Sequence, residues 1–275
     1  MEIINATDGY KLGHHRMYPE GTQMVYSNWT PRSNRYFPEA TEGSVVFGIQ
    51  YFVKKYLIEE FNKWFALPKE EAIKQFAYRV GNFVDLNQVG TKHIEELYDL
   101  GYLPIEIKAL PEGSICPIRV PMMTIKNTRP DFFCGSETIP AIEAVEHYYN
   151  ANVTEELVAA TVPASEHSVM CAGGEDGEIE TYRRLINDLY PTGIISIVSD
   201  TWDFWQVVEK FLPKLKADIM KRDGRVVIRP DSGDPVDIIC GLRTNPHYHT
   251  AMKEGKYYCD FNPFMDDDES HYVEV

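Results

Sequence analysis

Apolar spacing divides the chain into two differently patterned halves. From Ser44 the residues Val45, Val46, Phe47, Ile49, Tyr51 and Phe52 lead into Tyr56, Leu57, Phe61, Trp64 and Phe65. Steps of three and four with Lys54, Lys55, Glu59 and Glu60 on the other side predict one amphipathic helix, its aromatic stripe turned to a core. Pro68 followed by Glu70 and Glu71 predicts a second helix to about Phe83, and Thr91 a third through Leu100. Val25–Trp29 reads as a strand. Alternation over Ile105–Leu110 and again from Ile118 to Ile125, with Pro-Glu-Gly between, predicts a hairpin-like β module.

Beyond Asn127-Thr128-Arg129-Pro130 the pattern becomes strand, polar cluster, helix, repeated. A helix is expected over Glu137–Tyr149, a strand over Val158–Val162, and a helix over Glu178–Leu189. A strand over Ile194–Val198 follows, then a helix from Trp202 to about Met220, then a buried parallel strand, Val226–Ile228. His167, Asp200 and Asp231 follow the three strands at intervals of 33 and 31 residues, the length of one β-α unit. Successive parallel strands therefore deliver them to one rim, as a site requires. Arg229 suits an anion, and Asp231 suits hydroxyls or a metal. The same stretch also suits a Pro-Asp-Ser-Gly turn carrying a surface ion pair.

The N-terminal Asn5–His15 run reads as a loop or single helical turn capped by Thr7 or Asp8, with His14 and His15 solvated. Adjacent histidines lack metal spacing; His247-Tyr248-His249 has a spacing that suits a metal on a strand, but no carboxylate pattern supports it and it reads as a solvated loop. Met265–Ser270 reads as a loose acidic tail and Cys171–Gly177 as a turn. The division expected is an N-terminal α+β module over 1–130, a partial α/β barrel over 134–241 and a poorly ordered tail over 242–275.

A chain of 275 residues with 44% hydrophobic content supports one large domain or two ordinary ones. A formal charge of −15 argues against nucleic-acid or anionic-membrane partners but leaves room for a local anion pocket. Five scattered cysteines without a C-x-x-C pair, no signal sequence and no long apolar run point to a reducing cytoplasm.

Ala6–Lys11, Val25–Ser27, Phe47–Tyr51, Gly135–Ile139, Val162–Ser168, Val198–Asp200 and Ile228–Pro235, in that order, resemble the nicotinamide phosphoribosyltransferase family in the form found in bacteria and their phages. The resemblance implies an incomplete type II phosphoribosyltransferase-like α/β barrel behind the N-terminal α+β module. It implies transfer of phosphoribose from phosphoribosyl pyrophosphate to nicotinamide, giving the mononucleotide and pyrophosphate with Mg2+. It also implies a homodimer in which Tyr10 stacks on the pyridine ring of the neighbouring site and Asp8 and Arg32 serve from the neighbour. His167 matches the histidine phosphorylated from ATP. Asp200, Arg229 and Asp231 match the groups around ribose and magnesium, and Ser196 the pocket wall. Glu137 stands where the family uses an aspartate beside the carboxamide, which leaves a nicotinate-preferring relative open.

Carboxylates beside the sugar and arginine beside the phosphates suit a reaction in which positive charge grows on ribose and negative charge on the leaving pyrophosphate. Relative to the family, a long segment is missing between Phe133 and Cys134, and the units and glycine-rich loops expected after Gly241 are missing too. Three strand-helix units do not close an eight-unit barrel. A working transferase completed by another chain and a non-catalytic homologue or interaction subunit are both consistent with this.

Overall fold

In the computed structural model, residues 2–35, 37–82, 89–127 and 138–241 are described, with backbone alone at 138, 258–260 and 272–274. The chain divides into two compact units at Pro163/Ala164. This is later than the expected 130–134 division. Residues 138–163 go with the first unit because Ile139, Ile142 and Val153 belong to its core.

In the first unit, Ile49–Phe52, Val53–Glu60 and Phe61–Phe65 run as one helix whose middle piece is wound as a π-helix. It starts later than the apolar pattern suggests. Gly48 takes a left-handed turn at φ 86°, and Ser44–Val45 (β2) is freed to pair with Ile115–Cys116 (β4). The next helix, Lys69–Gly81, follows Pro68 and carries Glu70 and Glu71 in its first turn, where the helix dipole favours them. Lys92–Leu100 ends on left-handed Gly101. Phe61, Trp64, Phe76, Val80, Ile94 and Leu97 from these helices meet in one core.

The β module is three-stranded: Val25–Trp29 (β1) and Ile105–Ala109 (β3) flank Met123–Asn127 (β5), both antiparallel to it. The strand expected from Ile118 begins only at Met123. Residues 118–120 form a turn in which Arg119 has φ 68°. His14 departs further from expectation. It is fully buried on the His14–Met17 helical turn, and His15 stacks on buried His93 at 4.4 Å.

The second unit is built on two parallel strands, Thr192–Val198 (β6) and Asp223–Arg229 (β7), in register Ile195↔Val226, Ile197↔Ile228 and Val198↔Arg229. The strand expected over Val158–Val162 does not form. Val158 and Ala159 pack against the core of the first unit, Pro163 has no N–H for a ladder, and pairing begins only with the Ala164↔Ser196 bridge. The helices expected after each strand are present. Glu178–Arg184 continues into a π-turn at Leu185–Leu189. Phe204–Gln206, Val207–Phe211 and Leu212–Lys221 follow β6, with a π-turn just ahead of Pro213, whose missing N–H a regular helix would leave as a gap.

β6 is buried over Ile195–Val198, but β7 is less buried than its apolar run predicts. Val227 is 42% exposed, because among the described residues β7 pairs only with β6. In the expected loose tail, Tyr258–Asp260 pairs antiparallel with Tyr272–Glu274. His247, His249 and Met265–Ser270 lie outside the described residues. The architecture is mixed α/β, with a parallel strand pair at the heart of the second unit.

Candidate active site

Parallel strands end on the same side, and the turns after β6 and β7 meet the segment that bridges to β6. His167 opens the short His167–Cys171 helix, Asp200 follows β6, and Arg229 is the last residue of β7, with Asp231 two residues on. The spacing argument holds although the first of its three strands is only a bridge. His167 Nε2 lies 3.5 Å from Asp231 Oδ2 and 3.9 Å from Asp200 Oδ1. These are ion-pair separations, longer than a good hydrogen bond.

The imidazole is anchored at its other nitrogen, Nδ1, 3.0 Å from Thr201 Oγ1. Its side chain is half exposed, like that of Asp231, whereas that of Asp200 is 8% exposed. Burial pushes the Asp200 carboxyl up. The hydroxyl of Ser232, donating to Oδ2 at 2.5 Å, outweighs this together with the backbone N–H groups of Asp231 and Asp200, and the net displacement is below the ordinary aspartate value. The group therefore stays charged at neutral pH. Its Oδ1 is buried without a hydrogen-bond partner.

Arg229 is held from the side by a bond from Nη2 to the carbonyl of Ser165 at 2.7 Å. Ser165, itself fully buried, pins the His167 segment to β6. Its N–H donates to Ser196 O at 2.9 Å and its hydroxyl accepts from Val198 N at 3.0 Å. Ser196 is thus a buried β6 residue beneath the site. Behind Asp200, the buried Tyr182 hydroxyl donates to Ser199 Oγ at 2.7 Å, and Ser199 donates on to Ile197 O. Burial holds the Tyr182 phenol above its ordinary value. One turn earlier, Glu178 is 2% exposed with Oε1 unpartnered, and burial, then Glu175 and Asp203, push its carboxyl up to about 7.

An unpartnered carboxylate oxygen on Asp200 beside exposed Asp231 fits a hard divalent cation that takes its other oxygens from water and substrate phosphates. Among the described residues no group of three or more His, Cys, Asp or Glu forms a metal cage by itself.

The remaining expected residues belong to the first unit. Asp8 precedes the 3-10 turn Gly9–Gly13 without capping it through its side chain and pairs with Lys11 Nζ at 3.4 Å. Tyr10 is half-buried, its ring edge-on to His14 at 5.3 Å. Arg32 is exposed after β1, and Glu137 lies outside the described residues. Sequence reasoning missed Ser165, Thr201 and Ser232. Each sits beside a residue it did single out, but hydroxyls carry no periodicity that would flag them.

Residues 119–261 match the model of the nicotinate phosphoribosyltransferase family, and residues 2–107 that of the nicotinamide phosphoribosyltransferase N-terminal domain. The chain is 38% identical over 338 residues to a nicotinamide phosphoribosyltransferase of Acinetobacter baylyi, an alignment covering 91% of this chain and 66% of that protein. It is 24% identical over 313 residues to one of Xanthomonas campestris pv. campestris, covering 86% of this chain and 64% of that protein. One of Mycoplasma pneumoniae is 36% identical over 128 residues, 46% of this chain and 25% of that protein. The chain thus spans 66% or less of the length of these three relatives. The first alignment is longer than the 275-residue chain itself, so a stretch inside it has no counterpart here. Together with the convergence of His167, Asp200, Arg229 and Asp231 at the strand ends, the match over half of its length shows that the chain belongs to the nicotinate phosphoribosyltransferase family.

Proposed function

We propose that this chain transfers phosphoribose from phosphoribosyl pyrophosphate to nicotinamide, forming nicotinamide mononucleotide and pyrophosphate in NAD salvage. The observation that carries the reading is the clustering of His167 Nε2, Asp200 and Asp231 within 3.9 Å at the carboxyl ends of β6 and β7. The names of the relatives support it. On this reading the second unit is a fragment of a type II α/β barrel, with β6 and β7 as successive strands. A cytoplasmic setting goes with it, and Cys116, Cys171 and Cys240 are free thiols.

Asp200, held charged by Ser232, and Asp231 place negative charge beside the ribose as positive charge grows on its anomeric carbon. Arg229, fixed through Ser165, brings its positive guanidinium to the phosphates. Magnesium, when bound, neutralises the departing pyrophosphate, and Asp200 Oδ1 and Asp231 are the oxygens that would hold it. His167, anchored by Thr201, presents Nε2 as the acceptor for a phosphoryl group from ATP. Asp8, Tyr10 and Arg32 are assigned to the site of a neighbouring copy in a homodimer.

A second reading, a homologue that needs a complementing chain, is favoured by Val227 of β7, which is 42% exposed where, among the described residues, β7 pairs only with β6. Incubation of purified chain with nicotinamide, phosphoribosyl pyrophosphate, magnesium and ATP should yield mononucleotide, and His167→Asn or Asp231→Asn should abolish it. No product at high enzyme concentration would rule out the stand-alone enzyme, while product on adding the absent segments in trans would establish the second reading. Nicotinate offered in competition tests the acid-preferring alternative left open by Glu137.

A further inference from the structure

Ser232 is exposed, yet its hydroxyl makes a 2.5 Å bond to Asp200, the least exposed carboxylate of the cluster. The bond occupies Oδ2 and leaves Oδ1, buried and without a hydrogen-bond partner, on the side of His167 Nε2. Ser232 adjoins Asp231, and Gly233 bends the turn at φ 90°. The contact therefore ties the turn after β7 to the turn after β6. Another link between these segments, Ser199 N–H to Arg229 O, lies at the strand ends. Beyond it, the Ser232 hydroxyl and the backbone N–H of Asp231 act on the Asp200 carboxylate from across the rim, and the Ser232 hydroxyl is the side-chain hydrogen bond of the two.

We infer that Ser232 is a positioning residue: it fixes Asp200 so that one carboxylate oxygen faces His167 and the phosphate side of the site, together with Asp231. This rests on the function proposed above. Without the hydroxyl the Asp200 side chain regains rotational freedom, and the shared geometry of Asp200, Asp231 and His167 loosens. Because Ser232 is at the surface, its removal leaves the core intact.

The test uses the full chain, its Ser232→Ala and Ser232→Thr variants, and two readouts. Calorimetric titration with magnesium pyrophosphate should show roughly tenfold weaker binding for Ser232→Ala, the scale of one hydrogen bond to a charged group. Ser232→Thr should bind as the parent chain does. In protein with 15N-labelled histidine, the ring signals of His167, assigned by their loss in His167→Gln, should move in Ser232→Ala and return in Ser232→Thr. The thermal midpoint should be the same in all three proteins.

Unchanged His167 signals together with unchanged pyrophosphate affinity in Ser232→Ala would overturn the inference. So would a lowered thermal midpoint that Ser232→Thr fails to restore, since that marks a structural role. If the parent chain binds no magnesium pyrophosphate while the His167 signals still respond as expected, the positioning role stands and the proposed function fails.

Discussion

Glu178→Gln gives a sharp test of how the second unit is held together. Glu178 is 2% exposed at the start of the Glu178–Arg184 helix, with Oε1 unpartnered and the carboxylates of Glu175 and Asp203 nearby. Its carboxyl is displaced from 4.5 to about 7, so the folded chain holds this proton more tightly than the unfolded one does. Stability from this group is present in full below about 4.5, falls as pH rises through the interval, and is lost above about 7. At about 1.4 kcal/mol per unit, the loss is about 3 kcal/mol. Glutamine keeps the shape without the charge. The two proteins should therefore be alike at pH 4.5, with the variant about 3 kcal/mol more stable at pH 8.

Native-state hydrogen exchange of the Glu178–Arg184 amides, compared at both pH values with correction for intrinsic rates, reads this directly. A stability difference between variant and parent that does not change with pH would refute the reasoning. The consequence reaches the site, because Tyr182 on this helix supports Ser199, next to Asp200.

In the first unit the pH dependence has the opposite sign. Burial, then His15, push the His93 imidazole down to about 3, so stability present above about 6.5 is lost as pH falls toward 3. A pH series of urea unfolding should show His93→Gln lacking a few kcal/mol of that acid loss. At the start of the parallel pair, Gly224 has φ 150° and an added Cβ would fall 1.9 Å from Gly193 O. Gly224→Ala should destabilise the second unit by at least about 2 kcal/mol in urea unfolding, and parent-like stability would show that the strand starts do not approach so closely.

The sequence by itself determined most of the local elements and the residues of the candidate site. Helical spacing marked Phe61 and Trp64 as core, and the β-α period marked His167, Asp200 and Asp231 as neighbours, which they are. Both signals are periodic, and periodicity survives in one dimension.

Tertiary structure decided what depends on long-range partners. The apolar run at Val158 became a packing surface for the first unit, because the bridge to β6 starts only after Pro163. The run at Val226 became a half-open edge strand for want of a second neighbour among the described residues. His14 and His93 are polar by type and buried by context. The hydroxyls of Ser165, Thr201 and Ser232 acquire their roles only when turns some 30 residues apart in sequence are brought within hydrogen-bonding distance, a condition set by three-dimensional geometry.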